Sequence, residues 1–182
     1  MILIRPARAA DAEAVAELHA ESWRRHYRGA YLDSYLDGDV VADRRAVWSE
    51  RLAEPDADRC TLVAVDDGEV VGFAHLVFDA DPTWGSLLDN LHATFLRKRS
   101  GIGTRLVSEV ARAVIERSPA SGLHLWVLEQ NTAAQAFYSA RWGTCVERAM
   151  RGPFPGGGHA QALRFAWPDP TVLVDEPSAG SG

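Results

Sequence analysis

The chain has little cysteine and no long apolar segment, and both absences limit what it can be. Of its 182 residues only two are cysteines. Cys60 and Cys145 are far apart in the sequence, so we expect neither a disulfide framework nor a metal site. No apolar run approaches the roughly 20 residues that cross a bilayer. The acids and alanines that soon follow Met1 are unlike a signal peptide. We therefore expect a cytoplasmic protein with no membrane partner.

An excess of positive charge is also absent. The chain carries 19 lysines and arginines against 25 aspartates and glutamates, which gives a net charge of -6. Proteins that bind nucleic acid present a basic face, so we expect no nucleic-acid partner. The length is that of one domain, to which we assign residues 1–168. We expect the segment 169–182 to be a flexible tail.

Hydrophobic periodicity predicts a chain that contains both helices and strands. The predicted helices cover residues 11–25, 40–54, 102–117 and 132–142. The predicted strands cover residues 2–4, 60–65, 70–78, 87–95, 123–128, 144–150 and 159–167. Thr132 and Gln135 are expected to form a capping box for the last helix, and Gly143 is expected to end it.

The segment 96–106, LRKRSGIGTRL, combines glycines and positive charge directly after a predicted strand. Gly101 and Gly103 lie where the next helix begins, and the first amides of a helix are free to bind an anion. Glycine has no Cβ, so a ligand can approach the backbone closely. Four basic side chains between residues 97 and 105 add positive charge. A pyrophosphate fits such a loop better than a single carboxylate does.

Two other phosphate-binding motifs and a purely structural role are the alternatives for this loop. A Walker P-loop ends in Gly-Lys-Ser/Thr, whereas here Gly103 is followed by Thr104 and Arg105. A Rossmann fingerprint has a third glycine where this chain has Leu106, although Glu129 imitates its ribose-binding acid. The glycines could also do no more than turn the chain into a helix. The loop alone leaves this last alternative open.

The segment 125–143, LWVLEQNTAAQAFYSARWG, places polar side chains where a strand gives way to a helix. Asn131 lies at this boundary, where its amide group can reach a ligand. Tyr138 lies about two turns into the helix. Aromatic residues on an amphipathic helix commonly belong to the core. This segment alone therefore leaves a structural and a functional interpretation open.

Together the two segments resemble the GNAT family of acetyl-CoA-dependent N-acetyltransferases. The resemblance is carried by Lys98-Arg-Ser-Gly101-Ile-Gly103, the strand 125–127, Asn131 and the pair Phe137-Tyr138. The order of elements from Ile2 to Trp167 is similar as well. The resemblance implies an α/β (α+β) fold with a mixed, mostly antiparallel central sheet. About six to seven strands and about four flanking helices are expected.

By this resemblance acetyl-CoA is the acetyl-donor cosubstrate, and no metal takes part. The implied coenzyme site combines the strand before the loop, the loop, the helix start and one side chain beyond the next strand: Leu91, Ala93, Phe95, Lys98, Arg99, Ser100, Gly101, Ile102, Gly103, Thr104 and Asn131. Tyr138 would protonate the departing thiolate, a task suited to a hydroxyl beside the sulfur. The implied reaction transfers an acetyl group directly to a primary amine of a small molecule or peptide.

The base that deprotonates the amine is less well defined. Many members of the family have a glutamate where this chain has Leu87, and Asp89 follows two residues later, on the same face of a regular strand. Asp89 is therefore the favoured base, with His92 the alternative if the strand has a bulge, and a water chain another. His75 and Glu129 are further candidates. The missing glutamate also leaves a second function open, that of an inactive acyl-CoA-binding sensor or scaffold.

Aromatic residues at and beyond the end of the first helix form the predicted acceptor site. Trp23, Tyr27 and Tyr31 would bind a cationic amine. They belong to an aromatic and acidic wall that also includes Tyr35, Asp33, Asp37 and Asp39. They could equally be core residues and solvated acids. A homodimer also stays open, because the sequence does not decide the oligomeric state.

Overall fold

A seven-stranded sheet organises the chain in the computed structural model, which describes residues 1–95 and 100–174. The strands are β1 (Leu3–Pro6), β2 (Arg59–Asp66), β3 (Glu69–Asp81), β4 (Gly85–Ala93), β5 (Leu123–Leu128), β6 (Thr144–Phe154) and β7 (Gly158–Trp167). The helices are α1 (Ala12–His26), α2 (Asp33–Leu36), α3 (Val40–Arg51), α4 (Ile102–Arg117) and α5 (Thr132–Ser139). The predicted mixed, mostly antiparallel sheet with flanking helices is confirmed.

The strand order β1-β2-β3-β4-β5-β7-β6 contains one parallel pair. Strands β1 to β4 are antiparallel neighbours, and β5, β7 and β6 form a second antiparallel block. Between the blocks, β4 and β5 run parallel because α4 crosses from one to the other. Only two residue pairs join them, Ser86 with Leu123 and Leu87 with His124. The sheet is therefore joined at one end of these strands and open at the other.

Alternating residues of the central strands bury both faces of the sheet. On β3, Phe73 packs with Val15 of α1 and Trp48 of α3. Ala74 and Leu76 of the same strand belong to the core that α4 covers on the opposite face. Successive side chains of a strand point to opposite faces, so a central strand between two helical layers is buried on both sides. These layers fix the ends of α1 and β4 beside the open part of the sheet.

Helix α5 is shorter than the sequence predicts. It ends at Ser139, and its N-cap is Asn131 rather than the expected Thr132. The chain turns away through Trp142, which adopts a left-handed φ of 59°. Gly143, expected to end the helix, is required instead by packing, because a Cβ there would lie 2.7 Å from the Trp167 ring.

The segment after Pro168 also differs from the expected flexible tail. Pro170–Leu173 forms a short 3-10 helix against α4, with Pro170 and Leu173 buried. Residues 175–182 lie outside the part of the chain that the structure describes. Within residues 1–95 and 100–174, no helix is both long and apolar enough to cross a membrane.

Candidate active site

The candidate site lies where β4 and β5 separate. A bulge in β4 lies where the separation begins, since Leu76 pairs with Leu88 and His75 with Asn90, leaving Asp89 without a partner on β3. A bulge bends its strand and increases the local twist, and this one follows directly on the last β4–β5 pairs. The opening runs from the bulge to the glycine loop, between the ends of α1 and α5.

A cavity of about 450 Å³ borders the glycine loop, and we call it the loop cavity. Its walls contain seven of the predicted coenzyme residues: Ala93, Phe95, Ser100, Gly101, Ile102, Gly103 and Thr104. Lys98 and Arg99 lie outside the described residues. The end of β4, the described part of the loop and the start of α4 thus surround one space.

The two glycines of the loop have different roles. Gly101 adopts φ 76° directly before α4 and supplies no side chain to cap the first amides of the helix. The residues that carry those amides line the loop cavity, at the positive end of the helix dipole. A Cβ on Gly103 would lie 3.3 Å from the Phe137 ring, so the missing side chain lets α4 approach α5. With no acidic residue in the first turn of α4, this end of the helix suits an anion.

Two arginines that the sequence did not single out also line the loop cavity. The Arg141 guanidinium lies 3.6 Å from the centre of the Phe137 ring, donates to the Phe137 carbonyl at 2.9 Å, and donates to the Thr104 hydroxyl. Arg25 lies 3.7 Å from the centre of the Phe95 ring. Both cations are held beside the start of α4, where an anion would bind. The four-residue spacing of Phe137 and Arg141 is the signal that could have indicated this contact.

A second cavity of about 260 Å³ occupies the opening between β4 and β5, and we call it the cleft cavity. Leu91, Asn131 and Tyr138 of the predicted site line it. The Asn131 side-chain oxygen accepts a hydrogen bond from the Ala134 amide at 3.2 Å, which leaves its NH2 group as the donor for a ligand. The two cavities are contiguous, since both are lined by Ser22, His26, Ala93, Gly103 and Phe137.

Tyr138 combines a packed ring with a hydroxyl in the cleft cavity. The side chain is 8% exposed, and its ring contacts Phe165 and Trp167. Burial, and secondarily Tyr27, raises the pKa of the Tyr138 phenol well above its usual value. Among the described residues the hydroxyl has no hydrogen-bond partner. A phenol that stays protonated in a cleft can donate a proton or a hydrogen bond to a ligand.

The three aromatic residues predicted to bind the acceptor do not all reach the cavity. Tyr27 lines the cleft cavity, and burial, followed by the nearby Asp89 carboxylate, raises its pKa to about 12. Trp23 and Tyr31 are buried in the core behind Tyr27 instead of standing in the predicted wall. Their rings contact the Tyr27 ring at centroid distances of 6.0 and 5.0 Å. Trp23 and Tyr31 therefore pack behind Tyr27, which is the one of the three that lines the cleft cavity.

Asp89, the favoured base, lies in the wall of the cleft cavity. Its side chain is 39% exposed, accepts a hydrogen bond from Asn90 at 2.8 Å and lies 3.7 Å from the Arg51 guanidinium. The bulge means that the regular-strand argument from Leu87 does not apply. A carboxylate that is paired and open to solvent is well placed to attract a cationic amine.

The other candidate bases differ in their access to the cleft. His75 is 2% exposed, and its Nδ1 atom lies 2.8 Å from the Thr61 hydroxyl, away from both cavities. Glu129 forms a two-point ion pair with an arginine of β6 at 2.7 and 2.9 Å. His92 lines the cleft cavity, with its Nδ1 atom 2.7 Å from the Ser22 hydroxyl. Of the three, His92 is the one in contact with the cleft.

Comparison with known proteins gives a sequence family that agrees with this geometry. The sequence profile of the acetyltransferase (GNAT) family matches residues 12–143. The uncharacterized N-acetyltransferase YuaI of Bacillus subtilis (strain 168) is 26% identical over 177 residues, which cover 95% of this chain and 96% of YuaI.

Solved structures of acetyltransferases share the fold. The PaiA N-acetyltransferase of Thermoplasma acidophilum, in complex with coenzyme A, has a TM-score of 0.68 at 20% identity, covering 92% of this chain and 99% of PaiA. Arabidopsis thaliana NAA60, in complex with acetyl-CoA, has a TM-score of 0.67 at 18% identity, covering 92% of this chain and 98% of NAA60. Because the family profile matches well over half of its residues, the chain belongs to the acetyltransferase (GNAT) family.

Proposed function

We propose that the protein is an acetyl-CoA-dependent N-acetyltransferase that moves an acetyl group directly to a primary amine of a small molecule or peptide. The observation that carries this proposal is the continuity of the two cavities. The loop cavity ends at the first amides of α4, the cleft cavity contains Tyr138, and both are lined by Gly103 and Phe137. If the phosphates of acetyl-CoA bind at the glycine loop, its thioester end can reach an amine in the cleft cavity.

The residues present fit the coenzyme A part of acetyl-CoA, which would supply the acetyl thioester when bound. The first amides of α4 and the guanidinium groups of Arg25 and Arg141 suit its phosphates. Beyond Leu87, β4 has no further ladder pairs with β5, so backbone groups of the stretch 91–93 can bond an extended, amide-containing arm. We place that arm along β4 with its thioester end in the cleft cavity.

Residues of the cleft cavity protonate the leaving thiolate and attract the acceptor amine. The Tyr138 hydroxyl donates a proton to the sulfur as the thiolate leaves, which offsets the charge that develops there. Asp89 attracts the ammonium form of the acceptor, and the Tyr27 ring borders the place where the amine enters. No side chain has to form a covalent intermediate, because the amine attacks the thioester directly.

Coenzyme A and acetyl-CoA are expected to raise the Tm of the protein, whereas NAD is not. A ligand that binds only the folded state stabilises it by about 2.7 kcal/mol at one hundred times its Kd. For a domain of this size that corresponds to a shift of roughly 5 to 10 °C. Thermal unfolding with each ligand measures the effect. Stabilisation by NAD and not by coenzyme A would reinstate the dinucleotide-binding alternative.

Turnover distinguishes an enzyme from a domain that only binds the coenzyme. Release of free thiol from acetyl-CoA is expected to depend on an added amine, in a panel of small amines and peptide N-termini. A protein that coenzyme A stabilises, but that consumes no acetyl-CoA with any of these amines, would be the sensor or scaffold instead.

Gly103→Val is expected to weaken coenzyme A binding at least about tenfold, or 1.4 kcal/mol, and to lower the Tm as well. The branched side chain would enter the region where the two cavities meet. It would also press on Phe137, since even a Cβ lies 3.3 Å from that ring, and such overpacking costs about 1 to 3 kcal/mol. Calorimetric titration and thermal unfolding measure the two effects separately. Unchanged affinity in a folded variant would exclude this loop as the coenzyme site.

A further inference from the structure

His92 and Ser22 form a contact in the wall of the cleft that the roles above do not use. The His92 Nδ1 atom lies 2.7 Å from the Ser22 hydroxyl oxygen, and both residues line the cleft cavity. Ser22 also lines the loop cavity, at the end of α1 where Glu21 and His26 are exposed. The pair therefore connects the place where an amine would react with the solvent-exposed end of α1.

A positive charge on His92 is disfavoured by its surroundings. The ring centroids of His19 and Phe73 lie 4.9 and 5.2 Å from that of His92. Burial, followed by the nearby His26, lowers the pKa of His92 to about 3. The charged or titratable groups that act on His92 and its neighbour His19 are His26, Arg44, Arg51 and His75. Tyr27 and Asp89 line the same cavity as His92. His92 is therefore neutral at rest, with one ring nitrogen able to accept a proton.

His92 cannot pass a proton to its other neighbour, His19. The Trp48 indole N–H donates to His19 Nδ1 at 2.9 Å, so the neutral His19 ring carries its own proton on Nε2. That Nε2 atom is buried, with no hydrogen-bond partner among the described residues. Both nitrogens of His19 are thus unable to accept a proton from His92. The direction that remains is the one toward Ser22.

We propose that His92 accepts a proton from the attacking amine at Nε2 and passes its Nδ1 proton to Ser22, which releases a proton to solvent at the end of α1. This inference rests on the proposed function. An amine that binds as its ammonium ion gives one proton to His92 before it attacks. The nitrogen–carbon bond then forms as the carbon–sulfur bond breaks, the nitrogen loses its second proton to solvent, and the sulfur gains one from Tyr138. Tyr138 regains its proton from solvent, and His92 returns to its starting tautomer by proton exchange with solvent, so two protons leave and one enters for each ammonium ion acetylated.

A weakly basic histidine is better suited to passing a proton on than to holding it as an imidazolium ion. Because a proton gained at Nε2 is matched by one lost at Nδ1, the imidazole never holds a full positive charge in this enclosed position. His92 is then the catalytic residue that touches the amine, and Ser22 is a positioning residue that acts through it. Asp89 attracts the ammonium group, which agrees with its exposed place at the bulge.

Ser22→Ala is expected to lower kcat about tenfold or more, with the KM for acetyl-CoA unchanged. The loss should be largest at low pH, where the amine enters as an ammonium ion, and should shrink as the pH rises. Ser22→Thr keeps a hydroxyl and is expected to restore most of the rate. His92→Gln should lower kcat at least as much as Ser22→Ala, because it removes the proton acceptor itself.

Thr61→Val is the matched control. The Thr61 hydroxyl contacts His75 Nδ1 at 2.8 Å, a contact of the same kind that lies away from both cavities. This variant is expected to keep the wild-type kcat and pH profile. A wild-type kcat in Ser22→Ala at every pH, or a Ser22→Thr variant no faster than Ser22→Ala, would overturn the relay alone. A wild-type protein that binds coenzyme A and acetylates no amine would overturn the proposed function, and the relay with it.

Discussion

Tyr138→Phe is expected to fold and to bind coenzyme A normally, yet to turn over roughly ten- to a thousandfold more slowly. The ring keeps its contacts with Phe165 and Trp167, so the variant loses only a hydroxyl in the cleft cavity. The loss should appear in kcat more than in KM, because the hydroxyl matters most as the thiolate forms. Steady-state kinetics with an accepted amine, under conditions where chemistry limits the rate, measure it.

Tyr35→Phe provides the comparison for this experiment. Its hydroxyl donates to the Asp43 carboxylate, and the side chain lies outside both cavities. Loss of that hydroxyl should therefore change the free energy of unfolding rather than kcat. If Tyr138→Phe acetylates at the wild-type rate, Tyr138 is a core aromatic and another group protonates the thiolate.

Acidification from pH 7 to pH 5 is expected to lower the free energy of unfolding by up to about 5 kcal/mol. Burial lowers the pKa of His75 to about 4, lowers that of His92 to about 3, and holds that of His19 well below its usual value. The unfolded chain binds these protons near pH 6.5. Stability is therefore complete above about pH 7 and decreases below it, by up to about 1.4 kcal/mol per pH unit for each histidine that stays neutral.

Carboxyl groups change the free energy of unfolding in a lower pH range, so they do not obscure the contribution of the histidines. Arg5 lowers the pKa of Asp11, and the Trp84 and Thr83 amides lower that of Asp81 to about 2. Stability from a carboxyl group with a lowered pKa is present above its unfolded pKa, near 4, and is lost only as the pH falls further. Between pH 7 and pH 5 the buried histidines therefore dominate.

Urea denaturation at pH 7, 6 and 5 measures how the free energy of unfolding changes with pH. His75→Gln removes one of the buried titrating groups. It is expected to reduce the pH dependence of the free energy of unfolding by up to the contribution of one proton taken up on unfolding. His159→Gln removes an exposed histidine of β7 and serves as the control. A free energy of unfolding that stays constant from pH 7 to pH 5 would contradict the burial of these rings as neutral groups.

The order of the strands and of the four longer helices, and the place of the glycine loop, follow from the sequence because their signals are local. The short α2 was not predicted. The apolar period changes from helical to alternating at residue 60, and Gly101 and Gly103 mark the start of α4. Both signals depend on neighbouring residues alone. The resemblance to the GNAT family adds the pairing of two distant segments, which local patterns do not give.

The positions of the candidate base and the acceptor wall could not be predicted in this way. The bulge at Asp89 arises from the register between β3 and β4, and a single unpaired residue invalidates an argument from alternation. Tyr31 is buried because its ring stacks on Phe154 of the distant β6, at 4.7 Å between centroids. Whether an aromatic side chain faces a cleft or the core depends on such contacts, which lie far apart in the sequence.

Inside the sheet, β4 and β5 turn unpaired strand edges toward each other rather than toward other molecules. An exposed strand edge is a template on which another chain can pair, and it favours aggregation. Here residues of α1 and α5, among them Ser22 and Phe137, flank the opening. A strand from a neighbouring protein would have to displace a helix before it could pair. The unpaired edges of β4 and β5 are thus flanked by helices, which limits their pairing with a strand of a second protein.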